Sequence, residues 1–88
     1  NLASAQYDLG RMYLEESCWL HDPARAAKWL LLAAEGGVSD AQYLLGMMFE
    51  TGFGVESNPA LAVKWLRQAA EGGHEEAQSS LRSYLAII

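Results

Sequence analysis

Ala26-Ala27-Lys28-Trp29-Leu30-Leu31-Leu32-Ala33-Ala34-Glu35-Gly36-Gly37 returns as Ala62-Val63-Lys64-Trp65-Leu66-Arg67-Gln68-Ala69-Ala70-Glu71-Gly72-Gly73, each residue 36 positions after its counterpart. Ala26, Trp29, Leu30, Ala33 and Ala34 fall on one stripe of an α-helix. Ala62, Trp65, Leu66, Ala69 and Ala70 repeat that stripe. Small alanines beside one large indole predict closely packed helices with the Trp wedged between them. Asp22-Pro23 and Asn58-Pro59 open the two segments, each placing a capping side chain before a proline at the first helical position. The paired glycines close them, because glycine accepts the left-handed conformation of a helix end at little cost.

The same period extends upstream. Ala5-Gln6-Tyr7 recurs as Ala41-Gln42-Tyr43, and Leu9-Gly10 recurs as Leu45-Gly46. Aligned without a gap, residues 5–40 and 41–76 are identical at 17 of 36 positions. A third copy begins at Ala77-Gln78 and keeps Leu81. A fixed period of this length is the mark of a helical repeat. Ala5, Leu9, Met12 and Tyr13 make a second helical stripe, which Ala41, Leu45, Met48 and Phe49 repeat. Ser39-Asp40-Ala41-Gln42 reads as a capping box in the middle unit only. The expected helices lie near 3–15, 23–35, 39–51, 59–71 and 75–87. The fold class is therefore all-α: an α-α superhelix of two complete helical hairpins plus a terminal helix. It forms a single domain over 1–88, with units of about 5–40 and 41–76 and a partial unit over 77–88. One hairpin cannot bury its stripes alone, so neighbours must stack into a solenoid with a concave face.

Composition narrows the function. Of 88 residues, 51% are hydrophobic, too many for a disordered tail. The net charge of −5 and six scattered basic residues argue against a nucleic-acid partner. No apolar run is long enough for membrane insertion. Cys18 is the single cysteine, so no intrachain disulfide forms. Asn1, rather than Met, at the start accords with a piece of a longer protein.

Ala-Gln-Tyr-x-Leu-Gly, Gly52-Phe53-Gly54-Val55, Ala-x-x-Lys-Trp-Leu and Ala-Ala-Glu-Gly-Gly together resemble the Sel-1-like repeat (SLR), a relative of the tetratricopeptide repeat (TPR). The resemblance covers nearly the whole chain. It implies a right-handed TPR-like superhelix and a scaffold or adaptor role in protein complexes; the wide exposed face itself suits no enclosed reaction, and no cofactor is expected. By analogy with tetratricopeptide grooves, it aims Tyr7, Arg11, Leu14 and Glu15 of the first unit at the concave face. Asp40, Tyr43, Met47 and Glu50 follow from the second unit, and Glu76, Ser79 and Ser83 from the third. Tyr7, Arg11, Tyr43, Met47 and Glu50 are the expected partner-binding residues for a protein or peptide. The first unit departs from the pattern. Glu16-Ser17-Cys18-Trp19 stands where the second unit has Gly52-Phe53-Gly54-Val55, so that loop is expected to take another path.

Several residues carry two readings. Tyr7 and Tyr43 either stack on a ligand or pack between helices. Trp29 and Trp65 belong to the core. Cys18, His21 and Asp22 are too few for a zinc site, and His74 is remote in sequence. Cys18 with His21 lacks an oxyanion hole, so no catalytic residue is assigned. Gly52-Phe53-Gly54 follows a helix and has no Lys-Ser or Lys-Thr after it, so it reads as a turn and not a phosphate loop. Trp19, Leu31, Leu32, Ile87 and Ile88 leave apolar surface at the two ends. They await flanking repeats, cover one another, or form a homo-oligomer surface. The alternative to a partner-binding scaffold is thus a structural segment of a longer solenoid, or a self-association module.

Overall fold

A computed structural model describes residues 2–15 and 21–87, with Ile87 described by its backbone alone. Five helices follow one another: α1 (Leu2–Leu14), α2 (Pro23–Glu35), α3 (Ser39–Thr51), α4 (Pro59–Glu71) and α5 (Glu75–Ile87). Among the described residues there is no strand.

The starts of α2 and α4 have a local cause. The Asp22 carboxylate accepts the Arg25 amide at 3.3 Å, and Asn58 Oδ1 accepts the Leu61 amide at 3.2 Å. Both caps precede a proline at the helix start, as expected. At the far ends, the second glycine of each pair supplies the left-handed turn, with φ of 92° at both Gly37 and Gly73. Gly36 and Gly72 instead keep a negative φ. The capping box at Ser39 does not form. Ser39 is already helical, and no side chain caps α3. Gln42 bonds elsewhere. Its Nε2 donates to the Ala34 carbonyl at the end of α2, 3.1 Å away and buried. Gln78 repeats this on Ala70 at 3.0 Å. The recurring Gln is a clip between successive hairpins, adding a second hydrogen bond to a helix-end carbonyl that also accepts a glycine amide, Gly37 on Ala34 and Gly73 on Ala70.

Packing within a hairpin depends on missing side chains. A Cβ on Gly10 would stand 2.7 Å from Leu30 Cγ, and one on Gly46 would stand 2.9 Å from Leu66 Cγ. The leucines fill the notch that each glycine leaves. Leu30, Leu45 and Leu66 are the largest fully buried side chains, and each contributes about 2 kcal/mol by burial. Ala26, Ala33, Ala41, Ala62, Ala69 and Ala77 are completely buried around them. One cluster joins α2 and α3 and takes in Trp65 of α4, and a second joins Leu66 and Ala69 to Ala77 of α5.

Burial is not equal between repeats. Trp65 is 6% exposed, whereas Trp29 is only half-buried. Ala41 and Met48 are buried, whereas their counterparts Ala5 and Met12 are exposed. The expectation that both indoles belong to the core holds for Trp65 and is corrected for Trp29, which is outside the buried clusters. Trp65 lies among α2 and α3 residues, which include the hairpin before its own, and no described helix precedes α1 to do the same for Trp29.

The chain returns to the second helix in the same way in both units. The Asp22 amide donates to the Tyr13 carbonyl at 2.8 Å, and the Asn58 amide donates to the Phe49 carbonyl at 2.9 Å. In the second unit, Gly54 has φ of 77°, and a Cβ there would lie 2.5 Å from the Pro23 carbonyl oxygen. Cys18 occupies the matching sequence position in the first unit. It lies outside the described residues, as does the altered path expected of its loop.

Candidate partner-binding groove

The 36-residue period sets side chains of α1, α3 and α5 in register. Tyr7 corresponds to Tyr43 and Ser79, and Arg11 to Met47 and Ser83. Residues four apart on a helix share a face, so each helix presents two of these positions side by side. Three open hollows lie along this face. The first, of about 300 Å³, joins Tyr7 and Arg11 of α1 to Asp40 and Tyr43 of α3, with His74 and Glu76 at its far side. The second, of about 390 Å³, lies between Tyr43 and the residues Glu75, Glu76, Ser79 and Ser80. The third, of about 260 Å³, joins Met47 and Glu50 to Ser79, Ser80, Ser83 and Tyr84. Tyr43 is common to the first two hollows, and Ser79 and Ser80 to the last two. Together they make one trough across three helices.

Tyr7, Arg11, Tyr43, Met47 and Glu50 therefore come together along a single surface. Both tyrosines are half-buried. Each packs on a core cluster and also lines the trough, so packing and display coexist. Of the other residues aimed here by resemblance, Asp40, Glu76, Ser79 and Ser83 also line it. Leu14 instead lines an adjoining apolar hollow with Leu44, Met47, Met48, Thr51 and Phe53. Glu15 is exposed and lines none of these hollows. Leu31 and Leu32 lie on α2, away from the trough, 38% and 45% exposed. Trp19 and Ile88 lie outside the described residues, as does the side chain of Ile87.

His74 is a trough residue that sequence reasoning passed over. It stands where the first unit has Val38, in the turn before α5. Its ring stacks on Tyr43, with centroids 4.7 Å apart. Nδ1 accepts the Ala77 amide at 3.1 Å and caps α5. Because Nδ1 accepts, the neutral ring carries its proton on Nε2, which donates to Asp40 Oδ1 at 2.8 Å. One side chain thus ties α3, the turn and α5 together. The signal was available in principle, since a polar residue just before Glu75-Glu76 at a helix start is a cap candidate. Ser80 and Tyr84 were also missed, because nothing in the period marks them.

The electrostatics of the first hollow follow from its neighbours. The Arg11 guanidinium carbon lies 5.6 Å from the Tyr7 ring centroid. Burial pushes the Tyr7 hydroxyl above the ordinary tyrosine value; Asp40 adds to the shift and Arg11 opposes it. Both nitrogens of His74 are engaged in hydrogen bonds, which leaves neither free to act as a base. Among the described residues no three His, Cys, Asp or Glu side chains converge as metal ligands. What the trough offers is hydroxyls, carboxylates and aromatic faces on a fixed helical frame.

A family model of the Sel1 repeat matches residues 3–38 and again 39–74, two successive stretches of 36 residues. The chain belongs to the Sel1 repeat family. Sel1 repeats are non-enzymatic modules that commonly serve as protein-interaction scaffolds. Two solved structures share the fold. A Sel1 repeat protein from Oxalobacter formigenes is 36% identical, with a TM-score of 0.83 over 90% of this chain and 32% of its own. The second is c5321, a protective antigen present in uropathogenic Escherichia coli strains and displaying an SLR fold. It is 40% identical, with a TM-score of 0.84 over 89% of this chain and 17% of its own. This Sel1 repeat chain therefore spans about a third of one solved relative and about a sixth of the other. Among curated proteins none matches it. No helix is long and apolar enough to cross a membrane among the described residues.

Proposed function

We propose that this Sel1 repeat chain is a non-catalytic interaction module that holds a peptide or a segment of a partner protein in the α1–α3–α5 trough. The observation that carries this reading is the convergence of Tyr7, Arg11, Tyr43, Met47 and Glu50 on contiguous hollows. A trough made of helix faces is preorganised, so an extended ligand loses its own freedom without the protein having to reorder. The hollows are wide and open and hold no paired nucleophile and base, which suits binding rather than turnover. The test is capture of a partner by the chain, its identification by mass spectrometry, and titration of that partner against Arg11→Ala combined with Tyr43→Ala. Affinity should fall at least about tenfold, the scale of one or two lost anchor contacts, while the helical circular dichroism is retained. Unchanged affinity in a folded double variant overturns the groove assignment.

A second reading rests on a different surface. Leu2 is 74% exposed, Met12 46%, Leu31 38% and Leu32 45% on the first hairpin, with Phe53 at 43% and Leu85 of α5 at 44% beyond it. On this reading the chain is a structural segment of a longer solenoid, or a self-associating module, and the first hairpin is covered by another. Light scattering over a concentration series distinguishes the self-associating form. A monomer at every concentration, unchanged by Leu31→Lys, removes it.

A further inference from the structure

Charge balance differs between the two helix layers: α1, α3 and α5 carry Asp8, Asp40, Glu50, Glu75 and Glu76 against Arg11 and Arg82. The second helices carry Arg25, Lys28, Lys64 and Arg67 against Glu35 and Glu71. The trough has the opposite balance: Asp40, Glu50, Glu75 and Glu76 against Arg11 alone. Arg11 is already placed over the Tyr7 ring, 5.6 Å from its centroid. Its counterparts in the next two repeats are Met47 and Ser83, and Arg82 of α5 lines none of the three hollows, so Arg11 is the one Lys or Arg among their lining residues. Among the described residues no Lys or Arg pairs with Glu50, Glu75 or Glu76. Asp40 accepts from His74 and is still 58% exposed at its side chain.

We infer that the occupant of the trough is a cationic extended peptide, with two Lys or Arg residues about four positions apart and an apolar residue between them. This rests on the groove reading above and adds the chemistry of the partner. Asp40 and Glu50 stand ten residues apart on α3, about 15 Å at the rise of an α-helix. An extended chain covers that distance in about four residues. Tyr43 and Met47 lie between the two acidic poles, with Tyr84 across the trough from Met47 and Glu50. One basic side chain meets Asp40 and Glu76 at the α5 start, and the other meets Glu50. The central side chain covers Met47. Guanidinium or ammonium groups gain charge-assisted hydrogen bonds from the carboxylates. A phosphate-bearing ligand meets the same carboxylates as repulsion.

A random heptapeptide library displayed on phage and selected against the chain tests this. Enriched sequences are expected to carry Lys or Arg four positions apart. Synthesised with a fluorescent label, they should bind at least about tenfold more weakly to Glu50→Gln/Glu76→Gln, and more weakly as salt rises from about 0.05 M to about 0.3 M. Ser79→Tyr, a bulky neutral change at an exposed trough position, should also block them. Enrichment of neutral or acidic sequences that Ser79→Tyr blocks and the Gln pair leaves unchanged overturns the cationic assignment and leaves the groove reading standing. Absence of enrichment, or peptides indifferent to all three substitutions, overturns both. Circular dichroism of each variant confirms the helices, and Lys64→Gln on the opposite layer should leave binding unchanged.

Discussion

His74 holds three pieces of backbone together from a position that the repeat does not mark. The matching residue of the first unit is Val38, where α3 starts without a side-chain cap. Histidine there gives α5 a cap through Nδ1 and reaches Asp40 through Nε2. The two roles separate by substitution. His74→Val removes both and should cost about 1 kcal/mol, the usual value of a lost N-cap. His74→Asn keeps a capping oxygen but is too short for Asp40, so it should lie between the two. Thermal unfolding followed by circular dichroism reads the series; equal stability for all three would show that the cap contributes nothing. The tyrosines are legible at this scale only in part. Their recurrence marks them as repeat positions, but a half-buried ring that both packs and faces a trough satisfies two readings, and only placement shows that it does both.

Among the elements, the hairpin is held by a fit between a glycine in one helix and a leucine in the next. Alanine normally favours a helix over glycine by about 1 kcal/mol. At position 46 the added methyl would meet Leu66 Cγ at 2.9 Å and the Ala62 carbonyl oxygen at 3.3 Å. Overpacking of this kind costs about 1–3 kcal/mol, so Gly46→Ala should be destabilising despite its better propensity. Urea unfolding of Gly46→Ala, Leu66→Ala and the double variant gives the coupling, and the double should cost less than the sum of the singles. Strict additivity would mean that the notch is not shared. The helix bounds were readable from the sequence because Asx-Pro starts and Gly-Gly ends are local chemistry. The Ser39 box was misread because the same Gln serves the neighbouring hairpin, and a local pattern cannot report a partner eight residues back in another helix.

At the scale of the whole molecule, the second hairpin buries its tryptophan against the first. Trp65 sits in a cluster with α2 and α3, while Trp29, in the same Lys-Trp-Leu triplet, is half-buried. Trp65→Ala should cost about 3–5 kcal/mol, as for other buried aromatics, and Trp29→Ala clearly less. Urea midpoints by circular dichroism check this, and equal losses would show that stacking between repeats does not govern burial. The trough is also a property of this scale, because no hairpin contains it; it needs the first helices of two units and α5. The acidic excess among the residues lining the trough becomes visible only when the helices are placed.

The repeat period, the helix bounds and the all-α architecture were determined by the sequence alone, since periodicity, caps and glycine ends act within a few residues. The tertiary structure decided which copy of each repeated residue is covered, how Gln42 and Gln78 clip hairpins together, and that His74 joins the trough. Those outcomes depend on neighbours brought close by stacking, and two identical residues in a repeat differ only in what stacks against them.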